Sequence, residues 1–245
     1  MIKLVVSLHS INLLNVNPPY SMSTREFKST LYKQLATVTK ALSNPHRLEI
    51  LDLLAQGSFP VEYIAEHANV SVANASQHLQ VLKKSGLVDT VRDGKYIYYE
   101  LFDERVLETW RVLRQLGLSR NHEISELLED YRKRKDQLNL ISSDDLLLKL
   151  KNNEVYLIDV RPEEEYNLGH IKEASSLPHK ELKERMQELP TNREIVAYCR
   201  GPLCLMADEA VYLMKKKGLN AYRLENGFAD WLAEKKPSKQ QRNNT

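Results

Sequence analysis

Residues 195–219 read IVAYCRGPLCLMADEAVYLMKKKGL and hold both cysteines of the 245-residue chain, Cys199 and Cys204. An apolar run leads into Cys199, a short Gly-Pro loop follows, and an amphipathic helix is predicted next. Such a loop directs backbone N–H groups inward. The positive end of the following helix and the charge of Arg200 both favour the thiolate form of Cys199. We therefore predict a nucleophilic cysteine at the end of a strand.

The segments around this stretch predict an α/β domain. VYLIDV (155–160) is a near-continuous apolar run, as a strand buried on both faces requires, and EIVAYC and AYRLE are similar. Helix-like segments lie between these runs, at 180–188, 204–217 and 227–235. Alternating strands and helices indicate a mainly parallel sheet, whose functional sites gather at the carboxyl ends of its strands. Cys199 stands at such an end.

Residues 141–236 resemble the rhodanese family of sulfurtransferases, through LIDVRPEEEYNLGHI (157–171), IVAYCRGPLC and RLENGFADW (223–231). The resemblance implies that Cys199 takes a sulfane sulfur from a donor, becomes a persulfide and passes the sulfur to a thiol acceptor. It implies no cofactor. It also implies that loop residues cradle the sulfur and that two residues after the first strand support the site. The loop residues are Arg200, Gly201, Pro202, Leu203 and Cys204, and the supporting residues are Asp159 and Arg161.

One departure from the family concerns the position five residues after the nucleophile. Many catalytic members have an arginine there that helps to hold an anionic donor such as thiosulfate, whereas this chain has Cys204. We therefore expect low thiosulfate activity, and whether the domain is a working enzyme stays open. A second thiol on the loop can attack a persulfide on Cys199 and leave a disulfide or polysulfide bridge. We predict that Cys199 and Cys204 react as a pair, as in a sensor.

The first half of the chain predicts a winged helix. SNPHRLEILDLLAQG opens with a Ser or Asn cap and a proline in its first turn, and VEYIAEHAN and VSVANASQHLQVLKKSG follow as helices. The last two are predicted to form a helix-turn-helix. LVDTVRDGKYIYYEL is predicted to be a β-hairpin that turns at Asp93-Gly94.

The second helix of this motif is suited to DNA. Val72, Ala75, Leu79 and Leu82 are spaced to face a core, and no acidic residue occurs from residue 67 to residue 88. A surface near phosphates requires this absence of acids, and Asn and Gln can pair with adenine edges. The basic hairpin tip is expected to contact the DNA backbone or minor groove. The predicted DNA-binding residues are Ser71, Asn74, Ser76, Gln77, His78, Lys83, Arg92 and Lys95.

Residues 25–120 resemble the ArsR family of winged-helix repressors, through ALSNPHRLEILDLLAQG, SVANASQHLQVLKKSGLV and RDGKYIYYEL. The resemblance implies a homodimer, paired through the first helix and the last (roughly 103–117), that binds an inverted repeat in double-stranded DNA. The chain departs from the metal-sensing members, because VEYIAEHA has no thiol and the last helix has no histidine pair. We therefore predict no metal site.

Composition sets limits on the class of protein. Apolar residues at 42%, charged residues at 28% and a formal charge of +2 indicate an ordinary globular chain. No stretch reaches the roughly 18 apolar residues that a membrane span needs, so no membrane partner is expected. Two cysteines do not make a disulfide framework, and we expect a cytoplasmic protein.

Five segments are predicted along the chain. The winged helix and the rhodanese-like domain are separated by a charged helical segment, NHEISELLEDYRKRKDQLNL, whose basic run is interpreted as a solvated helix end. Met22 is an alternative start of translation to Met1. The segments are a disordered extension (1–21), a winged-helix DNA-binding and dimerisation domain (22–120), a helical linker (121–140), a rhodanese-like domain (141–236) and a disordered tail (237–245).

Two functional hypotheses follow. The preferred one is a sulfur- or redox-responsive transcriptional repressor that binds an inverted-repeat operator as a dimer and forms a persulfide on Cys199. The alternative is a sulfurtransferase, with thiosulfate or polysulfide as donor, whose winged helix serves mainly for dimerisation. A metal- or arsenic-responsive regulator would need clustered thiols, which the sequence does not supply.

Overall fold

The structure is a computed structural model that describes residues 22–135 and 138–235. The predicted extension (1–21) and tail (237–245) lie outside the described residues. The chain divides after Lys40 into two units, and both functional regions discussed below belong to the second. Within the described ranges, no helix combines the length and the apolar character needed to cross a bilayer.

The predicted helix-turn-helix and hairpin are present. A three-stranded antiparallel sheet of order β1-β3-β2 closes the motif, and Gly94 at the hairpin tip has a φ of +57°, which favours glycine. The elements are α1 (Thr24–Leu42), α2 (Pro45–Leu54), β1 (Phe59–Pro60), α3 (Val61–His67), α4 (Val72–Lys84), β2 (Val88–Asp93), β3 (Tyr96–Leu101), α5 (Glu104–Arg120) and α6 (His122–Lys133). Residues 45–120 are called the winged-helix half below.

Side-chain caps fix where these helices begin. Asn44 caps α2 by accepting a hydrogen bond from the backbone N–H of Arg47, as the sequence predicts.

Ala75, Leu79 and Leu82 of α4 are fully buried. The prediction for Val72 is wrong, since this side chain is 46% exposed. Val72 is the first residue of α4, and helical side chains lean toward the N-terminus, so it extends past the edge of the core.

The second half of the chain is an α/β layer structure. Its five strands form an all-parallel sheet of order β4-β8-β7-β5-β6, which confirms the predicted fold class. The elements are β4 (Leu140–Ile141), α7 (Ser143–Lys151), β5 (Val155–Asp159), α8 (Glu163–Leu168), β6 (Ser175–Ser176), α9 (Leu182–Arg185), β7 (Glu194–Tyr198), α10 (Met206–Lys216), β8 (Ala221–Leu224) and α11 (Phe228–Lys235). Residues 140–235 are called the sheet half below.

The central strand β7 places Cys199 in one of two cores. Ala197 and Cys199 belong to the cluster that contains Val211 of α10, whereas Val196 and Tyr198 belong to the cluster on the other face of the sheet. This alternation is the ordinary period of two along a strand. It directs the Cys199 side chain toward α10, immediately beyond the carboxyl end of β7.

The charged segment between the halves does more than the sequence suggests. Its basic run was predicted to be a solvated helix end, but Arg132 pairs at 2.9 Å with Asp208, a fully buried residue of α10. The Lys135 ammonium lies 4.7 Å from the centre of the Tyr212 ring. The prediction is confirmed for Lys133 and Arg134, which are exposed, and is wrong for Arg132, which joins Arg223 as a second cation on a buried carboxylate.

Candidate functional site

The two cysteines lie against one another on the loop between β7 and α10. Cys199 is 2% exposed and Cys204 is partly exposed. The Cys199 thiol donates a hydrogen bond to the carbonyl oxygen of Cys204, 3.3 Å away. Both thiols are free, so the loop holds a reduced pair.

The two thiols differ in acidity. Burial raises the pKa of Cys199, but three influences together outweigh it and hold that pKa below 9.0: the hydrogen bond from Cys204, the charge of Arg223 and the backbone N–H groups of Ala207 and Gly201. The hydrogen bond that Cys204 gives to Cys199, followed by burial, raises the pKa of Cys204 well above 9.0. Cys199 is therefore the more acidic thiol of the pair.

The cation that acts on Cys199 is not the predicted one. The guanidinium of Arg200 turns away and lies 3.0 Å from both carboxylate oxygens of Glu165, which is fully buried. Arg223 on β8 takes its place, and it also donates to the carbonyl oxygen of Gly201 at 3.1 Å. Arg223 was not among the predicted site residues. Its signal was an arginine inside an otherwise apolar strand, where a charged residue needs a buried partner.

The loop supplies fewer amides to the sulfur than predicted. The N–H of Cys204 donates to the carbonyl oxygen of Gly201 at 3.0 Å, because the loop closes a turn on itself. The carbonyl oxygen of Pro202 accepts from Arg132 at 3.4 Å, and the Leu203 side chain is 40% exposed. In this conformation the amides of Gly201 and Ala207 face Cys199, and the amide of Cys204 does not.

Gly227 fixes the loop from the side of α11. A Cβ atom at this position would lie 2.0 Å from the carbonyl oxygen of Arg200 and 2.3 Å from the amide nitrogen of Gly201. Only glycine allows the two backbones to approach so closely. The N–H of Phe228 also donates to the carbonyl oxygen of Cys199 at 3.1 Å.

The predicted supporting pair lies at the carboxyl end of β5, the strand beside β7. Asp159 and Arg161 are both fully buried, and Arg161 Nη2 lies 2.6 Å from Asp159 Oδ2. The same nitrogen donates to the carbonyl oxygen of Gly169 at 2.8 Å. A bidentate pair with a further acceptor satisfies the buried guanidinium, so these residues fix the end of β5.

The loop 199–205 between β7 and α10 is called the thiol loop. The winged-helix half contacts it through Gln56, which was not predicted to be a site residue. Gln56, just after α2, is 4% exposed. Its Nε2 donates to the carbonyl oxygen of Arg200 at 3.4 Å, and its Oε1 accepts from Arg161 Nη1 at 3.1 Å. Tyr63 of α3 adds a hydrogen bond of 3.0 Å to Glu165, the partner of Arg200.

Arg114 of α5 forms a second connection. Its Nη1 lies 3.0 Å from Asp52 of α2, and its Nη2 lies 2.5 Å from Asp230 of α11. The same guanidinium covers Gly201 so closely that a Cβ there would lie 3.0 Å from Nη1. Arg114 is 8% exposed, so one cation between two carboxylates joins the two halves in a mostly dry environment.

A cavity of about 1020 Å³ lies where the two halves meet. The winged-helix half contributes α2 and α3 residues such as Leu48 and Tyr63, and the sheet half contributes the loop from Leu203 to Met206. Cys204 is among the lining residues and Cys199 is not. The cavity therefore leads to the less acidic thiol, and the loop covers the thiolate.

The predicted DNA-binding residues of α4 differ in how free they are. Asn74 and Gln77 are exposed, whereas Ser76 and His78 are half-buried. Ser71 caps the helix by accepting from the backbone N–H of Asn74 at 3.2 Å. Burial, and then the charges of His46 and Arg47, lower the pKa of His78, whose ring centre lies 5.5 Å from that of His46. The amide side chains of Asn74 and Gln77 are therefore exposed and are not used to cap the helix.

The basic residues near the hairpin also divide. Lys83 binds the strand β2, with its ammonium 3.4 Å from Asp89 and hydrogen-bonded to the Thr90 hydroxyl. Arg92 is exposed at the hairpin tip and donates through Nε to the carbonyl oxygen of Gly94 at 3.1 Å. Lys95 is exposed, with its ammonium 5.2 Å from the centre of the Tyr96 ring.

Comparison with known proteins matches both halves of the chain. Residues 142–234 match the rhodanese-like domain family, and residues 42–91 match a helix-turn-helix domain family. An HTH-type transcriptional regulator of Mycobacterium tuberculosis is 39% identical over 204 residues, which are 83% of this chain and 89% of that protein. The transcriptional repressor SdpR of Bacillus subtilis is 45% identical over 64 residues, 26% of this chain and 71% of that protein.

Among solved structures, a homodimeric winged helix-turn-helix DNA-binding domain from Mycobacterium bovis is similar to this chain at 39% identity. The match covers 42% of this chain and 94% of that one, with a TM-score of 0.38.

Proposed function

We propose, because this chain belongs to the ArsR-like winged helix-turn-helix transcriptional regulators and carries a C-terminal rhodanese-like domain, that it is a DNA-binding repressor whose thiol pair senses sulfane sulfur. The observation that carries the proposal is the hydrogen bond from Gln56 of the winged-helix half to the carbonyl oxygen of Arg200 in the thiol loop. A change in the loop then acts directly on α2.

The DNA-binding unit is proposed to be a homodimer on an inverted repeat in double-stranded DNA. One short recognition helix reads too few bases to be specific alone. Leu31 and Leu35 of α1 and Val112 and Leu116 of α5 are each more than half exposed, at 54%, 61%, 66% and 55%. Burial of these apolar side chains between two copies supports association.

The domain limits and the location are part of the same proposal. We assign residues 22–120 to DNA binding and dimerisation, 121–140 to the linker and 141–236 to sulfur chemistry. Operator DNA and a free thiol pair both favour the reducing cytoplasm as the location.

The proposed chemistry begins with Cys199. Its thiolate attacks the outer sulfur of a hydropersulfide donor, the donor's S–S bond breaks, and the donor leaves as a thiolate. Cys199 then carries a persulfide. Attack by the Cys204 sulfur on Cys199 Sγ forms a disulfide and releases hydrogen sulfide, which takes up the thiol proton. A thiol acceptor that attacks the outer sulfur instead restores Cys199.

Transmission to the DNA-binding unit follows from how the loop is covered. Cys199 does not line the cavity, so the loop must shift for a donor to reach it. The peptide that must move, Arg200–Gly201, lies against Gly227 on one side, is covered by Arg114 and is bonded to Gln56. Arg114 and Gln56 belong to the winged-helix half, so a loop shift changes how that half packs.

The alternative, a working sulfurtransferase with a winged helix for dimerisation, has one observation in its favour. The cavity of about 1020 Å³ gives a sulfur acceptor access to Cys204. High turnover with a cyanide or thiol acceptor, together with no affinity for a fragment of the protein's own promoter, would favour this alternative.

The test is a DNA titration of the wild type, Cys199→Ser and Cys204→Ser, with and without polysulfide at fixed salt. We expect polysulfide to change the DNA affinity of the wild type by about 5–150-fold, the usual range of allosteric coupling. Cys199→Ser should bind DNA and ignore polysulfide. Cys204→Ser should stop at the persulfide and lose the change in affinity.

Two results would argue against this scheme. A full response in Cys204→Ser would show that the persulfide of Cys199 alone carries the signal. No response in the wild type would show that the two halves are uncoupled.

A further inference from the structure

We propose that the cavity over Cys204 selects its sulfur donor by charge and admits small organic persulfides that carry an ammonium group in preference to anionic donors such as thiosulfate. This inference rests on the proposed function and names the substrate class of the same site. It is drawn from the charge, the pairing and the size of the cavity lining.

The lining is strongly acidic. Seven carboxylates line the cavity, against two permanent cations, Lys180 and Arg200. Asp52 is paired with Arg114, and Glu181 with Arg185. Carboxylates without an ion pair in the described ranges remain in both halves, namely Glu49 of α2 and Glu163 and Glu164 of α8. A cleft lined by one sign of charge concentrates ligands of the opposite sign and repels ligands of the same sign.

The two cations are already neutralised. Arg200 is held 3.0 Å from Glu165, a buried carboxylate, and the Lys180 ammonium lies 3.5 Å from Glu66. In contrast, no cation within the described ranges forms an ion pair with Glu163 or Glu164, and both are exposed at the cavity. An anionic donor therefore meets carboxylates without a free cation among the described lining residues.

At its thiol end, too, the described lining of the cavity offers an anionic donor no unpaired cation. Cys204 lines the cavity, whereas Arg223 is paired with the buried Asp208 at 3.0 Å and also acts on Cys199 and the carbonyl oxygen of Gly201. Arg223 is 2% exposed. It stabilises the thiolate without reaching a ligand in the cavity.

Size and apolar lining indicate an organic carrier. Ligand sites of about 300–1,000 Å³ typically hold organic molecules, and the cavity volume is about 1020 Å³. Leu48, Leu53 and Trp110 contribute apolar surface to the same lining. A small thiol with a hydrocarbon stem and an ammonium group fits this combination, whereas thiosulfate uses neither the volume nor the apolar surface.

The reaction itself is balanced without a further reactant. The Cys199 thiolate attacks the outer sulfur of R–S–SH, the S–S bond of the donor breaks, and R–S⁻ leaves with the bonding pair and takes up a proton. The products are Cys199–S–SH and R–SH. The acidic lining acts on the ammonium group of R and not on the bond that breaks.

The experiment compares four donors on the full-length protein at fixed ionic strength. The donors are the persulfides of cysteamine, cysteine and glutathione, which differ in charge but share the reactive S–SH group, and thiosulfate. The rate of persulfide formation on Cys199 is followed by quenched mass spectrometry, and each rate is divided by the donor's rate with free cysteine. We expect cysteamine persulfide to be fastest and thiosulfate slowest, with a spread of about tenfold or more.

The charge variant is Glu163→Gln combined with Glu164→Gln, and the control is Glu173→Gln, an exposed residue that does not line the cavity. The double variant should narrow the spread, mainly by faster reaction with glutathione persulfide and thiosulfate, and the control should leave it unchanged. The charge-selection proposal would be overturned, with the proposed function left standing, by either of two results. One is a thiosulfate rate equal to the persulfide rates, and the other is an unchanged spread of donor rates in the double variant. No loading of Cys199 by any donor would overturn the proposed function as well.

Discussion

The predicted DNA-binding residues on α4 and the hairpin, called the recognition surface, hold their polar side chains in the opposite way to the thiol loop. Asn74 and Gln77 on α4 and Lys95 on the hairpin are exposed. Around the loop, Arg161 and Arg223 are almost completely buried and bonded to carboxylates or carbonyl oxygens. A surface that binds DNA needs exposed polar side chains that can bond to the DNA. A buried pair of reactive thiols needs neighbouring polar side chains whose hydrogen bonds are already satisfied within the protein.

The difference also sets the scale of what a substitution can do. Exposed ion pairs contribute about 0–1 kcal/mol, because water and salt screen them. Removal of one partner from a buried pair costs about 3–5 kcal/mol, because a charge is left without compensation. Substitutions around the loop should therefore act on folding and coupling, whereas those on the recognition surface should act on DNA binding alone.

The largest effect is expected at Arg114. Arg111→Met combined with Arg114→Met leaves Asp52 and the buried Asp230 without a cation and should lower the free energy of unfolding by about 3–5 kcal/mol. Arg105→Met is the matched control on the same helix, since Arg105 pairs with Asp103 at an exposed site, and it should cost less than about 1 kcal/mol. Urea denaturation of both variants measures the difference. Similar losses would mean that the Arg114 network is not a buried junction.

The next effect concerns DNA. Asn74→Ala or Gln77→Ala should change sequence preference by about 1–3 kcal/mol at a single base position. Arg92→Ala or Lys95→Ala should weaken binding to all sequences alike and reduce the salt slope by about 1 each. Lys83→Ala should do less, because Lys83 already pairs with Asp89. Titrations at several salt concentrations measure both quantities, and four unchanged affinities would refute the winged-helix interface.

The smallest effect is a shift in a pH profile. A lowered pKa in the folded protein keeps Cys199 ionised below pH 9.0, and ionisation is lost only as the pH falls through the folded value. A small alkylating reagent should therefore modify Cys199 before Cys204 at pH 7, with a midpoint below 9.0. Cys204→Ala removes a hydrogen-bond donor and should raise the midpoint, whereas Cys204→Ser should raise it less. A midpoint that Cys204→Ala leaves in place would show that the pair is not hydrogen-bonded.

The elements of this fold were predictable where local chemistry decides them. A capping side chain with a proline set the start of α2, Asp93-Gly94 set the hairpin, and the apolar run 155–160 set a buried strand. The strands β4 and β6 were not predicted, because each has only two residues, too few to show an alternation of apolar and polar side chains.

The residues that join the halves were not predictable, because their partners are distant in sequence. Arg114 meets Asp230 across 116 positions, and Gln56 meets Arg161 across 105. On its own helix, Arg114 looks like one more surface cation. Distance in sequence also explains one wrong prediction. The cation that lowers the pKa of Cys199 was predicted to be its neighbour Arg200, whereas it is Arg223 on another strand.

The contacts of Gln56 bear on when Cys199 can be modified, with or without DNA bound. One carboxamide joins the Arg200 carbonyl and the Arg161 guanidinium, so under the proposed function operator and sulfur would act on a shared contact. Linkage is reciprocal: if persulfidation weakens operator affinity by a given factor, operator binding disfavours persulfidation by the same factor. Protein free of DNA would then be modified first. The ratio of repressor copies to operator sites would set the sulfur concentration at which the genes respond.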